Sequence, residues 1–310
     1  MKSNFICRIC FAMLVFMAVI LGIVGQVNGS IVPKIYWTDS SIKKIQRANL
    51  DGSGVEDIIT SGISMPRDIA VDVTGGKMYW TDSGLDRIQR ANLNGSGVEA
   101  LVTSGLSSPQ GIALDVAGGK MYWADTLTHK VQRANLDGSN VEDLVATGLQ
   151  WPRAIALDVA GGKMYWIDSG TEKIQRANLD GSEVEDLVAD STMRLYDIDL
   201  YTSAGKMYWT DVGSAKILRA NLDGSGIEDL ITTGLGNPRG IALYIPGGKM
   251  YWTDTLRDRI QCANLDGTGI TDIITTGLDF PEGISIAIPE PASMALLGIG
   301  LLFLRKRHYC

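Results

Sequence analysis

Cysteine and histidine are almost missing from this chain, which has four of the first and two of the second in 310 residues. Cys7, Cys10 and Cys310 lie in the two end segments, so the interior holds Cys262 alone and no disulfide can form within it. The fold must be held by its own core. With His129 as the one histidine of the interior, an imidazole-based zinc site has no material. Cys7-Arg8-Ile9-Cys10 has redox spacing but no folded domain around it. No Gly-x-Ser-x-Gly nucleophile elbow occurs. Long apolar runs are confined to the ends, and nothing between them repeats apolar residues at a helical period. Positive charge is scarce too. Residues 31–288 carry 23 basic against 34 acidic groups, a net charge of −11. Such a surface repels phosphate backbones and excludes nucleic acid as a partner.

Both ends read as addresses. Residues 1–29 have Lys2 and Arg8, an apolar run from Phe11 to Val24, then small and polar residues to Gly29. That layout predicts a secretory signal removed by signal peptidase near Gly29 or Ser30, with an uncleaved anchor as the alternative. Residues 289–310 open on Pro289-Glu290-Pro291, run uncharged from Ala292 to Leu304 and close on Arg305-Lys306-Arg307. Thirteen residues are short for a full membrane span, and the basic cluster belongs on the cytoplasmic side. This order resembles the PEP-CTERM sorting signal of Gram-negative bacteria. The resemblance implies recognition by an exosortase, transient membrane anchoring and delivery to the cell surface or extracellular matrix. A plain tail anchor is the alternative.

By length the middle would be two domains, but its sequence repeats. Tyr-Trp recurs at Tyr36-Trp37, Tyr79-Trp80, Tyr122-Trp123, Tyr165-Trp166, Tyr208-Trp209 and Tyr251-Trp252, always 43 residues apart. An aspartate follows two positions on, as Asp39, Asp82, Asp125, Asp168, Asp211 and Asp254. A fixed period of this length marks a repeat architecture. In the second copy Ile69, Val71 and Val73 alternate with small or polar residues, Gly75-Gly76 reads as a two-residue hairpin turn, and Lys77 to Asp82 is rich in aromatic and β-branched residues. Arg87 to Leu93 and Val98 to Thr103 add two strands around Asn94-Gly95. Four short antiparallel strands per copy describe a propeller blade. The first copy lacks its first strand. Gly283 to Ile288 supplies one, with Ile284 in register with Ile69, Ile112, Ile155, Ile198 and Ile241. The expected fold is all-β, a six-bladed propeller over 31–288 closed by its last strand.

Tyr-Trp-Thr-Asp in four copies, with Ala124 and Ile167 replacing threonine in two, resembles the low-density lipoprotein receptor class B (YWTD) repeat. The resemblance implies a six-bladed propeller with the motif on the second strand. Animal members bind extracellular proteins beside EGF-like modules, which this chain lacks.

Positions shared by all copies are expected to serve the blade. The tyrosines and tryptophans fall on opposite faces of their strand, towards the two neighbouring blades, and the aspartates fit hydrogen-bonding roles. Asp-Gly-Ser stretches such as 51–53 fit turns better than calcium loops, which need alternating ligands and a distal glutamate. The copies diverge in the loops above the ring, which bring Met65, Arg67, Gln110, Trp151, Arg153, Arg194, Tyr196, Asn237, Arg239, Phe280 and Glu282, with His129, Glu172 and Arg257 on the adjoining turns. Aromatic and arginine residues gathered on one surface suit a binding hot spot. They point to a protein or polysaccharide ligand at this face, with no metal or cofactor. The alternatives are a purely structural matrix protein and a calcium-dependent lactonase-type propeller. The latter would need ligands converging where the first strands start, at Asp68, Gly111, Ala154, Asp197, Gly240 and Gly283, and two carboxylates are few for that. Cys262 replaces an arginine of the other copies and reads as a buried, inert thiol.

Overall fold

The computed structural model describes residues 32–288. The signal segment 1–29 and the sorting residues Pro289, Glu290, Pro291, Arg305, Lys306 and Arg307 lie outside the described residues. Those described form six four-stranded antiparallel sheets. In blade 2 the inner strand is Pro66–Asp72, followed by Lys77–Asp82, Arg87–Asn92 and the outer strand Glu99–Val102. Blade 1 takes Lys34–Asp39, Lys44–Asn49 and Glu56–Ile59 from the start of the ring and its inner strand, Pro281–Ala287, from the end. That closing strand pairs with Lys34–Asp39 from Trp37 opposite Ile284 to Lys34 opposite Ala287. It also lies against the inner strands of blades 6 and 2, so the ring has no free inner edge.

The second strand of each blade is buried on both faces, which is why it reads as a nearly unbroken apolar run. Its tyrosine points to the following blade and its tryptophan to the preceding one. Tyr36 packs with Trp80, Tyr79 with Trp123, Tyr122 with Trp166, Tyr165 with Trp209, Tyr208 with Trp252 and Tyr251 with Trp37. The six hydrophobic clusters are therefore the six seams between blades. All six tryptophans are 0% exposed.

Polar links follow the same seams. The motif threonine of one blade donates to the start of the next inner strand, Thr38 Oγ1 to Arg67 O at 2.7 Å and Thr210 Oγ1 to Arg239 O at 2.6 Å. Where Ala124 breaks the motif, Thr126 Oγ1 reaches Pro152 O instead, at 2.7 Å. Arg47 Nη1 donates to Leu93 O of blade 2 at 2.9 Å while pairing with Glu56, and four further blades repeat this. In the sixth, Cys262 and Thr271 replace the arginine and glutamate together. Cys262 is 7% exposed, and burial pushes its thiol up.

Two details differ from the sequence reading. Inner strands begin at the proline, as at Pro66, or in blade 5 at Leu195, and the turn below is four residues, Val73 to Gly76, rather than two. The Asp72 carboxylate caps this turn by accepting from Gly75 N at 2.7 Å, while blades 5 and 6 make a turn of the same length as a short 3-10 turn after Tyr201 and Tyr244. The Asp-Gly-Ser stretches are turns: Asp51 Oδ1 accepts from Ser53 N at 3.0 Å and Oγ at 2.6 Å. Gly52 has φ 83°, and a Cβ there would lie 2.1 Å from Ile273 O of blade 6.

Comparison among blades exposes two buried tryptophan N–H groups without partners, Trp209 Nε1 in blade 5, where Leu218 replaces the glutamine, and Trp80 Nε1 in blade 2. Trp37 Nε1 donates to Gln46 Oε1, and Gln46 Nε2 to Asp57 Oδ1, at 3.1 and 2.7 Å. Blade 2 has Ala100 where Asp57 stands, and both Trp80 Nε1 and Gln89 Oε1 are left without partners. Ala100→Asp should restore the relay and pair with Arg87. We expect about 1 kcal/mol of added stability, or roughly 2–4 °C in Tm by calorimetry. An unchanged or lower Tm would contradict this account of the relay.

Candidate functional site: the upper face

The upper face carries the loops entering each inner strand and the turns after each second strand. The motif aspartates join the two sets. Asp82 accepts from Ser64 N and Met65 N at 2.7 and 2.9 Å, and from Gly84 N at 3.0 Å. Asp168 holds Gln150 N and Trp151 N, both at 2.9 Å. Burial raises Asp39 to about 6, against the pull of the backbone N–H groups it accepts from. These carboxylates fix the backbone of the loops while the side chains remain free to vary.

At the axis, the residue after each inner-strand start meets its five counterparts: Arg67, Gln110, Arg153, Tyr196, Arg239 and Glu282. Glu282 was expected among outward-facing contact residues, but it is 1% exposed. It accepts from Arg67 Nη1 at 2.5 Å, from Arg239 Nη1 at 2.7 Å and from the Tyr196 hydroxyl. Burial, with the charge of Glu282 beside it, pushes the Tyr196 phenol up to about 12. The Arg239 guanidinium stacks 4.7 Å from the Tyr196 ring centre and 4.2 Å from that of Phe280. Arg67, Tyr196, Arg239 and Glu282 thus satisfy one another and close the mouth of the ring. Gln110 is buried there too, donating to Ser108 Oγ at 3.1 Å.

Other side chains of this face stay open. Trp151 is 52% exposed although its backbone is pinned by Asp168. Arg153 lies 4.6 Å from the Tyr196 ring and touches no carboxylate. Arg194 is exposed, Met65 and Phe280 partly so, and Asn237 is half-buried, accepting from Arg239 Nε at 3.3 Å. Two exposed residues escaped the sequence reading, Leu127 and Leu256, the latter 74% exposed. The signal was there: four other copies place Ser41, Gly84, Gly170 and Gly213 at that turn position.

Below the mouth the inner strands close in. A Cβ at Gly111 would lie 2.6 Å from Ala154 Cα, and one at Gly283 2.6 Å from Asp68 Cα, so this layer takes mostly small residues. Its carboxylates serve as strand links. Asp68 Oδ2 accepts from Ile112 N at 2.9 Å, Asp197 Oδ2 from Ile241 N at 2.8 Å and Asp199 Oδ2 from Leu243 N at 2.8 Å. Burial raises all three, Asp199 to about 6; the charge of Asp68 raises Asp197 further, and that of Asp199 raises Asp68 further. They line a central cavity of about 280 Å³ with Ile69, Leu157 and Ser285. Among the described residues no three His, Cys, Asp or Glu side chains cluster to hold a metal ion.

The profile of low-density lipoprotein receptor repeat class B matches residues 33–73, 76–116, 119–159, 162–196 and 205–245. The matches stop there, yet Lys249 to Ala287 continue the same strand pattern. The PEP-CTERM protein-sorting motif matches residues 287–307. Human low-density lipoprotein receptor-related protein 4 is 63% identical over 30 residues, 10% of this chain and 2% of that protein. Mouse low-density lipoprotein receptor-related protein 5 is 51% identical over 41 residues, 13% of this chain and likewise 2% of its own length. Among solved structures, a chain of a nidogen/laminin complex superposes with a TM-score of 0.77 at 24% identity, over 84% of this chain and all of that one. A structure described as TolB from Agrobacterium tumefaciens gives 0.60 at 14% identity, over 79% and 90%. At these identities the likeness is one of fold.

Proposed function

The chain belongs to the low-density lipoprotein receptor class B repeat family, and from that premise we propose that it is an exported, non-catalytic propeller that binds a protein or polysaccharide through its upper face. The PEP-CTERM motif implies export, exosortase processing and surface sorting of the Gram-negative type. The observation that carries the binding reading is the contrast within the upper face. Arg67, Tyr196, Arg239 and Glu282 are hydrogen-bonded to one another, whereas Trp151 and Arg194 are exposed and Arg153 has no carboxylate partner. A half-exposed tryptophan on a pinned backbone presents rigid contact area at little entropic cost. With Arg153 and Arg194 against the nearby carboxylate of Glu172, the sector keeps positive charge on an otherwise acidic molecule and favours a ligand carrying carboxylate or other acidic groups.

The non-catalytic reading rests on the channel carboxylates. Asp68, Asp197 and Asp199 use both oxygens as acceptors for backbone N–H groups of two adjacent inner strands, which is a structural employment. Immobilised mature chain should retain a component of its own organism's extracellular fraction. Retention of nothing would favour the matrix-structural alternative. Export has a separate check. Intact-mass measurement on surface-extracted protein should return a species lacking about 29 N-terminal residues and the basic tail. A species that keeps His308, Tyr309 and Cys310 would indicate a plain tail anchor instead.

A further inference from the structure

The closing strand and the sorting signal share residues. The strand ends at Ala287, which is buried and paired with Lys34. The sorting match begins at that same residue, 287. By the 43-residue register Ala287 corresponds to Asp72, the last residue of the blade 2 inner strand, and Ile288 to Val73, the first residue of the turn below it. No linker separates fold from signal. The place of exit matters as much. Ile284, Ser285 and Ile286 line the central cavity, so the tail leaves from the axis of the ring and not from its rim. Each blade extends three strand spacings outward from its inner strand, or roughly 14 Å of sheet. The lower turns that follow the inner strands of blades 2 to 6 surround the exit. The uncharged run starts at Ala292, four residues past Ile288. Even a fully extended chain spans only about 14 Å over that distance. The N-terminal side leaves by the same face, because Lys34 opens the strand antiparallel to the closing one.

We propose that the closed propeller shields its own sorting signal. The membrane-embedded processing enzyme must seat against the lower face to reach the residues after Ile288, and that approach limits the rate of processing. The lower face is then the contact surface for the enzyme and the upper face points away from the membrane. This rests on the reading of residues 287–307 as a processed signal.

The test inserts ten Gly/Ser residues between Ile288 and Pro289 of the full-length chain, expressed in its own host. Such a linker has an r.m.s. length of about 17–19 Å, enough to carry the signal clear of the lower turns. Ile288 is exposed and outside the strand, so the melting temperature should not move. Pulse-chase with intact-mass readout should show processing at least about fivefold faster than in the natural chain. An equal rate would mean the lower face offers no hindrance, and a slower one that the fixed connection aids the enzyme. Either outcome overturns the shielding proposal. If neither form lost its tail, the processed-signal reading would fall with it, a result distinct from both.

Discussion

A chain that stops at Phe280 should lose the cooperative melting transition of the intact propeller. The missing strand, Pro281–Ala287, is the inner strand of blade 1 and touches three blades at once. Ile284 packs in the seam holding Trp37 and Tyr251, and Ala287 in the seam holding Tyr36 and Trp80. Removing them strips cover from both faces of blade 1. Burial of one isoleucine is worth about 1.5–3 kcal/mol, and each lost strand hydrogen bond about 1 kcal/mol. Thr38 Oγ1 would lose the Gly283 N–H that it accepts at 3.0 Å. Arg67 and Arg239 would face each other at the mouth without Glu282. Lys34–Asp39 would become an open edge carrying Trp37. Against a total stability of about 5–15 kcal/mol, these losses leave no stable ring. Calorimetry and near-UV circular dichroism decide the matter. Cooperative melting within a few degrees of the intact chain would show that closure does not hold the fold.

The ring was legible because its governing signals are periodic. Six Tyr-Trp pairs at one spacing gave the blade number, and Ile284 in phase with Ile69 and its counterparts gave the closure. The alternation of tyrosine and tryptophan across one strand foretold a seam on each side, which is where the six hydrophobic clusters lie. Turn length was harder, since Gly75-Gly76 has the composition of a two-residue hairpin, while the turn takes four residues both where Asp72 caps it and where Tyr201 or Tyr244 stands in that place.

The mouth of the ring misled the sequence reading for a physical reason. Positions that differ among copies are ordinarily those released from packing, so Glu282 and Tyr196 were grouped with the outward residues. On the axis of a ring, however, equivalent positions meet one another. Arg239 and Glu282 are 43 residues apart, Tyr196 and Glu282 86, and Arg67 and Glu282 215, all multiples of the repeat. Six identical side chains cannot neutralise each other there, so complementarity requires the copies to differ. Arginine, glutamine, arginine, tyrosine, arginine and glutamate at one register position were the available clue. Trp151 lies off that axis and is 52% exposed.

The upper face can be set directly against the lower. Trp151→Ala with Arg153→Ala removes the open aromatic and its unpaired cation while leaving Asp168 to hold the loop backbone. A tryptophan at the centre of a contact contributes about 2 kcal/mol or more, which is roughly thirtyfold in affinity. Lys120→Gln with Asp137→Asn changes lower-face charge at little structural cost, since Asn94 already serves in the Asp137 position in blade 2. The most direct measurement is the affinity of these two doubly substituted chains, beside the natural one, for the captured extracellular component, with melting temperatures recorded alongside. The upper-face pair should bind at least about thirtyfold more weakly with its Tm nearly unchanged, and the lower-face pair should bind as the natural chain does. Full binding by the upper-face pair together with lost binding by the lower-face pair would place the functional surface on the opposite side of the ring.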